Sequence, residues 1–258
     1  MLKGLYTSYT GLKNEQNRMD IMTNNLANAT TVGFKKEGST SQSFDSVLVY
    51  KLKDASVGLG SAQHIGYNTP GVKIGENYTD YTQGSYRITN NPFDLALSGD
   101  GFFAIEFTNK AGETSTKYTR AGNFTLNSEG YLVTNDGDYV LDTNNKRIKL
   151  NPLIDAKVQS DGTITQNGTA TGRIQITDFE NYDYLERYGE TYFQPIEGAK
   201  TTTSAAEINS GTLEMANVQV VTEMVNMISI TRQYESNQKI MQTYDRSMEI
   251  AVNNLGKL

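Results

Sequence analysis

The chain has no cysteine and no tryptophan, and a single histidine and 4 prolines in its 258 residues. The missing cysteines exclude disulfides, thiolate metal sites and a cysteine nucleophile. One imidazole, His64, makes no metal centre alone, and a Ser-His-acid arrangement would have to bring a serine and a carboxylate to its Gly-rich surroundings. A solvated loop histidine is expected there. No stretch approaches the ~18 consecutive apolar residues of a membrane span. The opening "MLKGLYTSYTGLKNEQNRMD" has neither an unbroken apolar h-region nor a small-residue cleavage site, so neither membrane insertion nor a cleaved signal peptide is expected. The 23 basic and 29 acidic residues leave a formal charge of −6 with no basic block, which argues against a nucleic-acid partner.

What is present begins with two heptad patterns. Leu5, Leu12, Met19 and Leu26 recur every seven residues, with Tyr9, Met22 and Ala29 three or four away, predicting an amphipathic helix from Leu2 to Ala29. Asn28, Thr30, Thr31, Val32 and Gly33 then break the pattern. Val220, Met227, Tyr234, Met241, Met248 and Leu255 repeat the spacing at the other end, widened by Met224, Ile230, Tyr244, Ala251 and Val252. Thr222, Glu223, Arg232, Glu235, Lys239, Asp245, Arg246 and Glu249 suit a wet face. A stripe of Met and Leu most often marks an ordinary core helix. Its confinement to the two ends of the chain, beside Asn24, Asn25, Asn28, Asn253 and Asn254, points to helices that pack together and also meet other copies.

Between these ends the period changes. Residues 35–78 read as an extended linker with a few short strands, the one strand-like run that stands out being Val47 to Tyr50. Residues 79–213 read as all-β: short alternating runs such as "GFFAIEF" and "RIQITDF" are separated by Asp100-Gly101, Glu129-Gly130, Asp136-Gly137, Asp161-Gly162 and Asn167-Gly168, which are hairpin signals. The expected fold class is therefore α+β. An antiparallel barrel or sandwich would be flanked by terminal helices, 1–34 and 214–258, forming a coiled-coil-like domain.

Chemistry is scarce. "GDGFFA", Gly99 to Ala104, fits G-x-G-x-x-A in letters but leads into a strand, so no helix N-terminus would face a pyrophosphate. Asp136, Asp138 and Asp142 lack the Gly and the terminal Glu of a calcium loop and read as a hairpin turn. Paired carboxylates for glycoside hydrolysis can be distant in sequence, yet none of the acidic residues stands out. No cofactor, metal or catalytic residue is expected, and a structural or binding role is favoured over an enzyme.

Three separated segments then resemble the bacterial flagellar rod and hook proteins. "SYTGLKNEQNRMDIMTNNLANATTVGFKK" resembles the family's leading helix and its signature, here Asn25, Leu26, Ala27, Asn28, Thr31, Gly33, Phe34 and Lys35. "TQGSYRITNNPFDLALSGDGFFAI" with "YTRAGNFTLNSEGYLVTNDGDYVL" is similar to its β-domain, and "GTLEMANVQVVTEMVNMISITRQYESNQKIMQT" to its closing helix. The resemblance implies export without signal cleavage through the flagellar type III apparatus. It also implies helical polymerisation with copies of itself, contact with other rod and hook proteins, and torque transmission in the basal body. The absence of a long insertion favours a rod over a hook subunit, toward the hook-proximal end of the rod. Leu5, Leu12, Met19, Leu26, Val220, Met227, Tyr234, Met241 and Met248 are the expected assembly contacts. A free-standing secreted adhesin and a carbohydrate-active enzyme on the same β scaffold are the rival readings.

Overall fold

The computed structural model describes residues 2–51 and 63–255, and the chain divides into two compact units. Unit 1 takes residues 1–26, 37–80 and 219–258; unit 2 takes 27–36 and 81–218.

Unit 1 is built on two helices, α1 (Leu2–Ala27) and α2 (Val220–Leu255). A methyl added at Gly4 would strike the Tyr244 hydroxyl, and one at Gly11 would lie 3.1 Å from Asn237 Nδ2. These two pairs descend α2 as they ascend α1, so the helices run antiparallel. The inward line of α2 is Glu223, Met227, Ile230, Tyr234, Asn237, Met241, Tyr244, Met248 and Ala251, alternating four and three residues. The matching line of α1 is Gly4, Ser8, Gly11, Glu15, Arg18, Met22 and Asn25. Leu5, Leu12, Met19 and Leu26 stand one residue beside it, half-buried on its flank. Glu223, expected on the wet face, is buried because it falls on the inward line one turn before Met227.

The stretch 35–78 forms two antiparallel strand pairs. β1 (Glu37–Ser43) pairs antiparallel with β4 (Val72–Thr79), from Glu37 opposite Thr79 to Ser43 opposite Val72 with a bulge after Ser39. β2 (Val47–Lys51) pairs with β3 (Gln63–Asn68). His64 lies in β3 opposite Tyr50 and not in a loop; residues 52–62, the Gly-rich run before it, lie outside the described residues. Thr7 donates to the Pro70 carbonyl at 3.3 Å, and Asn14 exchanges hydrogen bonds with Ser41, at 3.0 and 3.3 Å, so α1 meets these strands through polar groups.

Unit 2 follows the predicted alternation. Its strands begin with β5 (Tyr86–Ile88), β6 (Leu95–Ser98), β7 (Phe102–Thr108) and β8 (Thr114–Thr119). They continue with β9 (Thr125–Leu126), β10 (Leu132–Val133), β11 (Tyr139–Val140), β12 (Ala156–Val158), β13 (Thr163–Gln166) and β14 (Thr169–Arg173). β15 (Ile176–Phe179), β16 (Leu185–Tyr188), β17 (Tyr192–Pro195), β18 (Thr201–Thr203), β19 (Glu207–Ser210) and β20 (Thr212–Glu214) complete the set. The main sheet runs β16-β17-β8-β7-β11-β10-β9, with β15 and β18 joined beside β7, and remains open. The layers are therefore sandwich-like and do not close into a barrel.

β7 organises the core because its side chains alternate between two buried faces. Phe103 enters a cluster with Leu95, Leu97, Phe124, Leu132, Val140, Ile164, Ile174 and Ile208. Phe102 and Ala104 enter a second with Tyr118, Leu141, Phe179, Leu185 and Phe193. The hairpins obey their turn chemistry: Asn167 and Gly168 both have positive φ, 49° and 79°, between the paired strands β13 and β14, as a type I′ turn requires. Phe103→Ala should remove about 3–5 kcal/mol from unit 2, checked as a lowered urea midpoint at unchanged slope; a loss under 1 kcal/mol, roughly the cost of a surface change, would show that β7 does not organise this core.

Candidate functional site

Two features of the chain stand out from ordinary core packing: the surface of the helical unit and a buried ionic cluster at the signature segment. Among the described residues of unit 1, Ile230 is the single apolar side chain that is fully buried. The other groups it buries are polar: Ser8, Thr10, Asn14, Glu15, Asn25 and Glu223. Ser8 and Thr10 satisfy their hydroxyls on the carbonyls of Gly4 and Thr7, within α1's own backbone. Of the expected contacts, Met227, Tyr234, Met241 and Met248 are half-buried on the inward line of α2, while Val220 is exposed. The heptad reading takes in Met224 but misses the rest of a second stripe. Val221, Met224, Val225 and Ile228 lie at i, i+3, i+4 and i+7, one face of a helix, and are 51–76% exposed.

The signature residues divide between the two units. Asn25, at the end of the inward line, clasps the start of β1 within unit 1. Its amide nitrogen donates to the Glu37 carbonyl at 2.7 Å and its amide oxygen accepts from the Glu37 N–H at 2.9 Å. Leu26 is half-buried and Ala27 exposed. α1 stops at Ala27, two residues before the expected Ala29: the Asn28 carbonyl accepts from the Thr31 N–H at 3.1 Å, and the Thr31 hydroxyl donates to the Asn28 side-chain oxygen at the same distance. Gly33 follows at φ 69°, its N–H donating to the Glu214 carbonyl at 2.8 Å. A β-carbon there would collide with the backbone at Arg120 and Ala121, so glycine is required for conformation and space alike.

Phe34 and Lys35 are then carried into the interior of unit 2. The side chains of Lys35, Glu214 and Arg120 are 1%, 0% and 3% exposed. Lys35 Nζ donates to Glu214 Oε1 at 2.6 Å and to the Thr82 carbonyl at 2.8 Å. The same Oε1 accepts the Gly84 N–H at 3.0 Å, and Arg120 Nη1 reaches Oε2 at 3.5 Å. Arg120 also lies over the Phe102 ring, 5.2 Å from its centroid. Arg187 covers the Phe34 ring at 4.3 Å and donates to the Lys35 carbonyl at 3.1 Å. Asn217 accepts from the Lys36 N–H at 2.7 Å and donates to Thr82. Residues 33–36 are thus held by residues 214–217 through both backbone and side chain.

Comparison with known proteins places this arrangement. Residues 5–35 match the family model described as Flagella basal body rod protein, 96–171 the Flagellar hook protein FlgE/F/G D1 domain, and 209–255 the Flagellar basal body rod FlgEFG protein C-terminal. The flagellar basal-body rod protein FlgG of Bacillus subtilis (strain 168) is 35% identical over 274 residues, covering 98% of this chain and 99% of its own. The chain belongs to the flagellar basal-body rod and hook protein family. The rod protein FlgF of Caulobacter vibrioides is 34% identical, over 97% of this chain and 98% of its own. The hook-basal body complex protein FlhO of B. subtilis is 30% identical, with full coverage of both. The first and last matched regions meet at the cluster just described, since Lys35 belongs to one and Glu214 to the other.

For a member of this family, the acidic groups noted in the sequence have structural occupations. Asp136 and Asp138 both accept from the Tyr192 hydroxyl, at 3.2 and 2.8 Å, whereas Asp142 caps the backbone N–H of Arg173 at 2.9 Å. Among the described residues no three His, Cys, Asp or Glu side chains converge as metal ligands. Burial pushes the Asp138 carboxyl above the ordinary range against the opposing pull of the Tyr192 hydrogen bond. A carboxyl whose folded pKa is raised favours folding most when protonated, and that contribution is lost as pH rises through the unfolded and then the folded value. Asp138→Asn should therefore raise the urea midpoint at neutral pH and leave it nearly unchanged at about pH 3, where both side chains are neutral. An equal shift at both pH values would show that desolvation of this charge is not the cause.

Proposed function

We propose that this chain is a structural subunit of the flagellar basal-body rod, added copy by copy to a helical polymer in which neighbouring copies complete its helical unit. The observation that carries the reading is the near absence of a core in unit 1. Two long helices that fully bury one apolar side chain among their described residues, and leave Val221, Met224, Val225 and Ile228 largely exposed, are stabilised poorly within one chain. Full burial of each of those four is worth roughly 1.5–3 kcal/mol, and heterologous contacts that do not close into a ring extend as a helix. The flanks at Leu5, Leu12, Met19 and Leu26, with Val220 and the outer edges of Met227, Tyr234, Met241 and Met248, belong to the same proposed contact surface.

The family and the end-to-end coverage of the rod proteins FlgG and FlgF support a rod rather than a hook subunit with a structural, non-catalytic role; a place toward the hook-proximal end belongs to the same proposal. Its location is the basal body, reached by the flagellar type III apparatus without signal cleavage. Its partners are further copies, adjoining rod and hook proteins and that apparatus. Torque then passes along the polymer through the packed helices.

Ile228→Asp places a charge on the exposed stripe and should leave the monomer's far-ultraviolet circular dichroism and unit 2 unfolding unchanged while abolishing rod incorporation and motility. Met227→Asp and Leu12→Asp should block incorporation too, with Met227→Asp also speeding proteolysis of α2 in the monomer. Normal rods in Ile228→Asp cells would overturn this surface. A monomer whose helices resist protease as well as its β unit would favour the free-standing binding protein.

A further inference from the structure

We infer that the face of α1 bearing Lys3, Tyr6, Thr10 and Lys13 receives, from a second copy of this chain, the face of α2 bearing Asp245, Gln242, Gln238 and Glu235. The inference rests on the rod reading and names a contact which that reading leaves open. On α1 the four residues are spaced by three, four and three, so they follow one line along the helix. Read in reverse, the four on α2 have the same spacing. Gly4 meets Tyr244 and Gly11 meets Asn237 within one copy, which puts Lys3 level with Asp245 and Lys13 level with Glu235. The levels match within a copy, but the directions do not. Lys13 lies about 180° round α1 from the inward line, and Glu235 about 160° round α2 from its own, so each points away from the other helix. Among the described residues Lys3, Lys13, Glu235 and Asp245 make no ion pair. In copies set side by side at one height, α1 of one runs antiparallel to α2 of the next, and Lys3 meets Asp245 while Lys13 meets Glu235.

The receiving face has shape as well as charge. Tyr6, half exposed, lines a largely apolar cavity of about 390 Å³ with Lys3, Leu5 and Pro70. Thr10 and Lys13 line the next, of about 280 Å³, with Phe44, Val72 and Ile74, and Lys73 adds a third cation there. The lysine stems join the apolar walls and leave their ammonium groups at the rim, where a carboxylate can reach them. Exposed ion pairs of this kind add little energy. What they fix is which faces meet and at what height. A slip of four residues one way sets Lys13 against Lys239, and a slip of three the other way sets it against Arg232, so the register with two ion pairs is flanked by repulsive ones.

Two full-length variants, produced in cells lacking the wild-type copy, test this. Lys3→Glu with Lys13→Glu makes the α1 face acidic, and Glu235→Lys with Asp245→Lys makes the α2 face basic. Each variant alone sets like charge against like in every such contact and should cut the yield of assembled rods at least about tenfold, while the purified monomer keeps the wild-type circular dichroism. Produced together they should assemble, because the acidic α1 face of one accepts the basic α2 face of the other, and their unchanged faces match as in the wild type. Rods from the mixture should contain both variants in about equal number. A mixture that fails as each variant fails would overturn the pairing, since the faces then meet something other than each other. Normal rods from either variant alone would overturn it as well. In that case rods still blocked by Ile228→Asp would leave the rod reading standing, whereas rods formed by all three variants would remove both.

Discussion

Glu214 is a carboxylate with no exposed surface, and its solvation has to be rebuilt from protein. Lys35 supplies an ammonium, Gly84 a backbone N–H and Arg120 a guanidinium, drawn from three stretches far apart in sequence. Removing one member of such a pair costs about 3–5 kcal/mol because the other is left buried and uncompensated. The paths of the segment after α1, the loop at 82–85, the end of β8 and the end of β20 therefore satisfy a common condition. Gly84 shows how tightly they are drawn together: a β-carbon there would collide with the carbonyl of Met215. The ion pair need not add net stability to do this. It penalises every arrangement in which one of these segments is elsewhere.

Unit 1 is specified by different means. Its α1 line of Gly4, Ser8, Gly11 and Glu15 offers little apolar area to α2, and the Asn25 clasp and Asn14–Ser41 pair supply direction more than energy. A neutral hydrogen bond contributes about 0.5–1.5 kcal/mol net, which fixes a register without building a core. The helical pair is well defined in geometry and weakly held.

These differences decide what is legible in the amino-acid sequence. Turn chemistry is local, so Asn167-Gly168 and the Asp-Gly pairs announce unit 2 by themselves, and the alternation in "GFFAIEF" places Phe102 and Phe103 on opposite faces. The two helices are legible as heptads, but the heptads put their contact line one residue away from the true one on α1. Glycines 4 and 11 make the approach and carry no hydropathic signal, while the neighbouring Leu5 and Leu12 do. Polar strands hide as well: "EGSTSQS" pairs along its length with β4 through backbone bonds, with no apolar alternation to mark it. The ionic cluster has one local sign, a lysine directly after Gly33-Phe34. Its partner, Glu214, stands among ordinary strand residues, and nothing short of the fold joins them.

The contrast between the units has a thermodynamic reason within the proposed polymer. Apolar area hidden inside one subunit yields nothing further on addition, because the driving force is proportional to area newly removed from water. Subunits that polymerise through their helices must keep those helices incompletely covered until a neighbour arrives. They must also keep a separately stable part that does not unravel while they wait. Unit 2, with its two apolar clusters around β7, meets the second requirement, and unit 1, with Ile230 as its one fully buried apolar side chain among the described residues, meets the first. Moving apolar residues from the exposed stripe of α2 to the α1–α2 line would make a sturdier monomer and a weaker polymer. The polar character of that line is then a condition of assembly, not a defect in packing.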